Sequence, residues 1–135
     1  MIIIDTSVAV DFLRGRKEAV SALASAEKSA DAIGISTISV FELLHPLQHR
    51  KLDAQEKIVR SFVHGLRVLP LDSDAAEESA KIMGSLLRIG RPINALDVLI
   101  AGTAVAVGAE EVLSTDKDYE RISEISSLKL RIVGR

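Results

Sequence analysis

MIIIDTSVAV, residues 1–10, carries one charge, Asp5, and reads as a short buried strand, Ile2-Ile3-Ile4, running straight into a helix. An apolar β-branched run with no polar alternation suits a strand covered by helices on both faces, as in a parallel sheet. Asp-Thr-Ser directly after it supplies an N-cap for a helix over residues 6–13 that stops near Gly15. Asp5 thus stands at the carboxyl end of a strand, where parallel α/β sheets bind their ligands.

The same arrangement, one carboxylate in an apolar stretch, occurs twice more. Glu42 is the only charge in residues 32–49 and Asp97 the only charge in residues 92–109. Burying an ionised carboxylate without a partner costs several kcal/mol or more, and no lysine or arginine lies inside any of the three stretches. Taken singly, each acid could cap a helix or pair with an arginine from elsewhere. Taken together, they are explained more economically by one shared hard cation, such as magnesium.

Outward from these stretches the chain alternates between strands and helices. Residues 17–30 are alanine-rich with helical period, and Ile33-Gly34-Ile35 is a second strand. Ser36 and Thr37 cap the helix carrying Glu42, which Pro46 ends or bends. Asp53 caps a helix to about Val63, residues 67–69 form a third strand, and Asp72 opens a long helix to about Ile89. Asn94 caps a helix to Val107 that Gly108 ends. Val112-Leu113 is a fourth strand running into STDKDYERI, and residues 130–133 are the last. Strands separated by helices imply right-handed crossovers. The expected fold is α/β, a three-layer α/β/α sandwich around a mostly parallel sheet, formed by residues 1–135 as a single domain. Asp116 lies just past the fourth strand, so parallel topology lets Asp5, Glu42, Asp97 and Asp116 face one rim. Asp118, two residues further on, reads as a cap of the next turn.

Composition limits the chemistry. With 135 residues, 47% hydrophobic and 27% charged, the chain is of globular type. It has no cysteine, which excludes disulfides, zinc–thiolate sites and thiol nucleophiles. The start, MIIID, shows no basic export signal, so a cytoplasmic location is expected. Residues 92–109 are apolar enough to suggest a membrane span, but Pro92, Asn94, Asp97, Thr103 and two glycines favour a buried helix. Net charge is −2, an unpromising balance for nucleic-acid binding. The distribution softens this: residues 45–67 hold five Lys/Arg, two acids and all three histidines, and Arg14, Arg16 and Lys17 form a second basic group. With Phe12, Phe41, Phe62 and Tyr119 as the only aromatics, binding by base stacking is disfavoured.

Three or four acids without histidine or cysteine ligands select oxygen-preferring ions, magnesium or manganese. Such ions activate water and stabilise a pentacovalent phosphorus, often as a pair about 3.5–4 Å apart. The histidines, clustered in residues 45–64, stand apart from these acids as ordinary surface or core residues.

The order IIIDTS, an FEL segment at Glu42, RPINALDVLIAGTA and LSTDKDYERI resembles the PIN domain, more narrowly the VapC ribonuclease toxins of prokaryotic toxin–antitoxin pairs. The resemblance spans nearly the whole chain. It implies that Asp5, Glu42, Asp97 and Asp116 form the magnesium-binding site. Ser114 matches the family's small hydroxyl residue two before the last acid, and Thr6 the hydroxyl residue after the first. Some members place Asn where Asp116 stands. The resemblance further implies an RNA substrate, a cognate antitoxin that competes with RNA by inserting a basic side chain toward the acids, and a homodimer. The positive mean hydropathy, +0.24, agrees with an apolar subunit interface.

The expected function is therefore a magnesium-dependent endoribonuclease of the toxin type. Other readings are a PIN nuclease of RNA processing or decay, a non-catalytic PIN scaffold and a DNA-directed nuclease. A phosphoacceptor receiver domain would need adjacent acids after the first strand and an Asp after the central one. Here Asp5 stands alone and the third strand ends in Leu-Pro-Leu.

Overall fold

The computed structural model describes residues 1–134. Five strands, β1 (Ile2–Ile4), β2 (Ile33–Ser36), β3 (Arg67–Leu69), β4 (Glu111–Ser114) and β5 (Leu130–Ile132), form one sheet in the order β3-β2-β1-β4-β5. Every pairing is parallel, with Ile4 opposite both Ile35 and Leu113. The chain steps outward from β1 to β3, then crosses back to lay β4 on the other side of β1. That reversal opens a crevice at the carboxyl ends of β1 and β4, the switch point where doubly wound sheets bind ligands.

The helices are α1 (Thr6–Leu13), α2 (Lys17–Ser29), α3 (Thr37–His49), α4 (Asp53–His64), α5 (Ser73–Arg88), α6 (Ala95–Ala106) and α7 (Tyr119–Ile125). Alternation along β1 sends Ile2 and Ile4 to one face of the sheet and Ile3 to the other. Ile2, Ile4 and Ile35 pack with Val8 of α1, Leu23 of α2, Leu43 of α3 and Val59 of α4. Ile3 and Val112 pack with Leu86 of α5, Val98 and Ala101 of α6, and Tyr119 and Ile122 of α7. The expected three-layer sandwich is present, and its sheet is wholly parallel. No helix is long and apolar enough to cross a membrane among the described residues.

Helix α6 is apolar nearly all round because it is buried on most sides. Its Gly102 lies against the backbone of α5: a Cβ there would stand 2.6 Å from Ser79 N and 2.7 Å from Ser79 Cα. The missing side chain is what lets the two helices approach. Gly108, at φ 66°, ends α6 in the left-handed conformation, with Ala109 N–H donating to the Ala104 carbonyl at 3.0 Å.

One local expectation is narrowed and another is corrected. Pro46 does not end its helix: α3 runs through it to His49, and Arg50 N–H donates to the Pro46 carbonyl at 3.1 Å. The ring deletes the donor that would reach the carbonyl of Glu42, one turn earlier, while the turns on either side keep their bonds. Asp53 does not cap α4 either. Leu52 holds that position without a side-chain bond, and Asp53 lies inside the first turn, where its charge favours the helix dipole.

Candidate active site

The rim above β1 and β4 is organised around Asp5. Its backbone N–H still donates to the Leu113 carbonyl of β4 at 3.0 Å, fixing it at the strand end. Its side chain caps α1: Oδ1 accepts from Val8 N–H at 3.0 Å and from Ser7 Oγ at 2.7 Å, and Oδ2 accepts from Ser114 Oγ at 2.5 Å. The two hydroxyls also face the other way. Ser7 Oγ accepts from Thr115 N–H at 3.0 Å, and Ser114 Oγ accepts from Asp116 N–H at 2.9 Å. Asp5 is thereby locked on both oxygens, and the loop after β4 is tied to the turn after β1.

Glu42 projects from α3 toward α1, where Thr6 Oγ1 lies 2.7 Å from Glu42 Oε1 and 2.9 Å from Ser39 Oγ. A hydroxyl has one proton to give. The consistent arrangement has Thr6 donating to the carboxylate and accepting from the buried Ser39. Asp97 sits in the first turn of α6, behind the Asn94 cap whose side chain accepts from Leu96 N–H at 2.8 Å. It accepts a long hydrogen bond, 3.5 Å, from the Tyr119 hydroxyl.

Electrostatics join all four acids. Burial pushes Asp5 up from the usual carboxylate range, opposed by its bonds from Ser114, Ser7 and Val8 and reinforced by Asp116. Asp97 is pushed up to about 6, first by desolvation and then by the charges of Asp116, Asp5 and Glu42. Tyr119, wholly buried, is raised by burial and by the same four carboxylates. Among the described residues none of Asp5, Glu42, Asp97 and Asp116 forms an ion pair with a lysine or arginine.

Asp118 is not one of the carboxylates named as acting on Asp5, Asp97 or Tyr119. It holds the N-cap position of α7 as expected, but among the described residues its side chain accepts no backbone N–H and pairs only loosely with Arg121 at 3.9 Å. Asp116 makes the turn instead, its Oδ1 accepting from Asp118 N–H at 2.9 Å. The reason is spacing: an Asp side chain bonds the backbone two residues on. The site also contains Ser7, Ser39 and Tyr119, which sequence reading did not single out. His45, His49 and His64 are exposed on α3 and α4.

The donor set fits a hard divalent ion by its chemistry: carboxylate oxygens converging on one rim, net negative, with no soft ligand and no ion-paired partner among the described residues. Among the described residues no three such groups are drawn together closely enough to cage an ion as they stand. Like charges hold one another apart, and both oxygens of Asp5 and one of Glu42 are engaged by hydroxyls. A cation would relieve the repulsion that raises Asp97.

The PIN domain profile matches residues 2–125 of the chain. The chain belongs to the PIN-domain family. Ribonuclease VapC19 of Mycobacterium tuberculosis is 35% identical over 129 residues, 93% of this chain and 97% of that protein. The tRNA(fMet)-specific endonuclease VapC of Salmonella typhimurium is 34% identical over 94 residues, covering 67% of this chain and 70% of that one. In fold, this PIN domain matches VapBC2 of Rickettsia felis, solved bound to a DNA fragment from its promoter, with a TM-score of 0.84, 22% identity, and 98% and 99% of the two chains covered. By these relationships it is a PIN-domain nuclease of the VapC type, in a family whose members generally use divalent metals.

Proposed function

We propose that this PIN domain is a magnesium- or manganese-dependent endoribonuclease, the toxin of a VapBC-type pair, acting in the cytoplasm. The observation that carries the reading is the convergence of four carboxylates, felt together by Asp97 and Tyr119, at the β1/β4 switch point, with none of the four in an ion pair among the described residues. Asp5, Glu42, Asp97 and Asp116 would hold the ion. When bound, such an ion makes water a nucleophile near neutral pH and stabilises charge on a phosphodiester.

The chain's own residues set the stage for that chemistry. Asp5, with three donors, is the rigid member and defines where a cation can sit. Thr6 steadies Glu42, and Ser114 ties Asp116 to Asp5. Beside Glu42 a groove of about 420 Å³ runs between α1, α3 and α4, lined by Leu13, Pro46 and Ile58 and bordered by Arg14 and Arg50. The two basic groups of the sequence thus meet at one groove next to an acid of the site. Its arginines suit an RNA backbone passing toward the carboxylates. A cognate antitoxin occupying the same groove, with a basic side chain toward the acids, would compete with RNA. Exposed Phe41, Leu87 and Ile89 leave apolar surface available to a homodimer.

The test is cleavage of a single-stranded RNA, with DNA of the same sequence as control, by wild type and by Asp5→Asn, Glu42→Gln, Asp97→Asn and Asp116→Asn in magnesium. RNA alone should be cut. Asp5→Asn and Asp97→Asn should abolish cleavage with the fold retained by circular dichroism, and Asp116→Asn should lower the rate by less. Wild-type rates in Asp97→Asn would overturn the assignment of the site, and equal cutting of DNA would overturn the substrate class.

A further inference from the structure

Asp97 is held by the longest hydrogen bond of the four carboxylates, 3.5 Å from the Tyr119 hydroxyl. Asp5 takes three hydrogen bonds and Glu42 takes one from Thr6. Among the described residues the Asp97 carboxylate has one, from the hydroxyl of Tyr119. Tyr119 opens α7 with no exposed surface and belongs to the core cluster of Ile3, Val98, Ala101 and Val112. Its backbone N–H donates to the Asp116 carbonyl at 3.3 Å. One residue therefore links the loop bearing Asp116 to the helix bearing Asp97. A buried phenol hydroxyl needs a polar partner, and among the described residues Asp97 is its partner. A phenylalanine would fill the same apolar space without that need, so the hydroxyl is there for something other than core volume.

We propose that Tyr119 is a positioning residue: its hydroxyl, held by a ring fixed in the core, donates to Asp97 Oδ1 and turns that carboxylate for cation binding, leaving the other oxygen to coordinate. The inference rests on the metal-dependent reading above and adds to it the residue that orients one ligand. Partners behind a ligand typically change metal affinity about 10–100-fold when removed.

The chain has one tyrosine and no tryptophan, so its intrinsic emission reports Tyr119 alone. Wild type, Tyr119→Phe and Asp97→Asn are titrated with magnesium by calorimetry, and wild-type tyrosine emission is followed in parallel. A carboxylate bonded to a cation is a poorer proton acceptor, so emission should rise as magnesium binds, with the calorimetric midpoint. Tyr119→Phe should fold and bind magnesium about 10–100-fold more weakly, and added magnesium should recover its RNA cleavage. Wild-type affinity in Tyr119→Phe overturns the positioning role and leaves the metal site standing. Absence of magnesium binding by wild type removes the metal site and the inference with it. Should Tyr119→Phe not fold, the emission titration decides: unchanged emission at calorimetric saturation overturns the proposal.

Discussion

The acids were legible as residues because each is alone in an apolar stretch, an arrangement that burial penalises unless something answers the charge. What the sequence hid was which neutral groups hold them. Ser7, Ser39 and Tyr119 look like ordinary capping or core residues until β1, β4, α3 and α7 meet, and Asp116, besides facing the site, takes the turn bond expected of Asp118. Ser7→Ala should cost about 1–3 kcal/mol, because Thr115 N–H and Asp5 Oδ1 both lose a partner in a part-buried place; a urea midpoint measures it. Asp118→Ala should change stability by no more than about 0.5 kcal/mol, since its exposed pair with Arg121 is loose. The pH response follows from Asp97. Its folded value, about 6, is above the ordinary 3.8, so the folded protein holds the proton more tightly than the unfolded chain. That stabilisation is complete below pH 3.8 and is lost as pH rises through about 6. In chelator, the melting temperature should fall across that window, Asp97→Asn should flatten the fall, and magnesium should reverse it. A melting temperature that rises from pH 3.8 to 6 in chelator would contradict the account.

At the scale of elements, the five strands and helices α1 to α6 were readable from apolar runs, caps and glycine stops, because local signals and burial agree. Asp72 and Asn94 cap as expected, accepting from Ala75 N–H at 2.9 Å and Leu96 N–H at 2.8 Å. The exceptions are where burial outweighs a local signal. Buried Leu43 and partly buried Leu44 and Leu47 keep α3 seated past Pro46, so loss of one backbone bond does not end it. Gly102 was unremarkable in the sequence, since a glycine in an apolar helix gives no sign of what lies opposite. Gly102→Ala should destabilise by at least the upper part of about 1–3 kcal/mol, because the new methyl meets the Ser79 backbone and not a movable side-chain tip. Thermal unfolding of this variant against Gly84→Ala, whose Cβ would find open space to 4.0 Å, separates the contact from helix propensity, which alone favours alanine.

For the whole molecule, alternating strands and helices announced a parallel sheet, but strand order is set by crossovers that no local pattern records. It is the order β3-β2-β1-β4-β5 that puts Asp5 and Asp116 on adjacent strand ends and lets α6 bring Asp97 across from the opposite layer. The same topology brings Arg14 and Arg50, far apart in the chain, to one groove beside Glu42. The central claim, that this convergence is a cation site on which nuclease action depends, is met most directly by one measurement. Protein stripped with chelator is assayed on RNA, then assayed again as magnesium is restored in excess. The account predicts no cleavage in chelator and full recovery with magnesium in wild type but not in Asp97→Asn. Undiminished cleavage by the ion-free protein would contradict it.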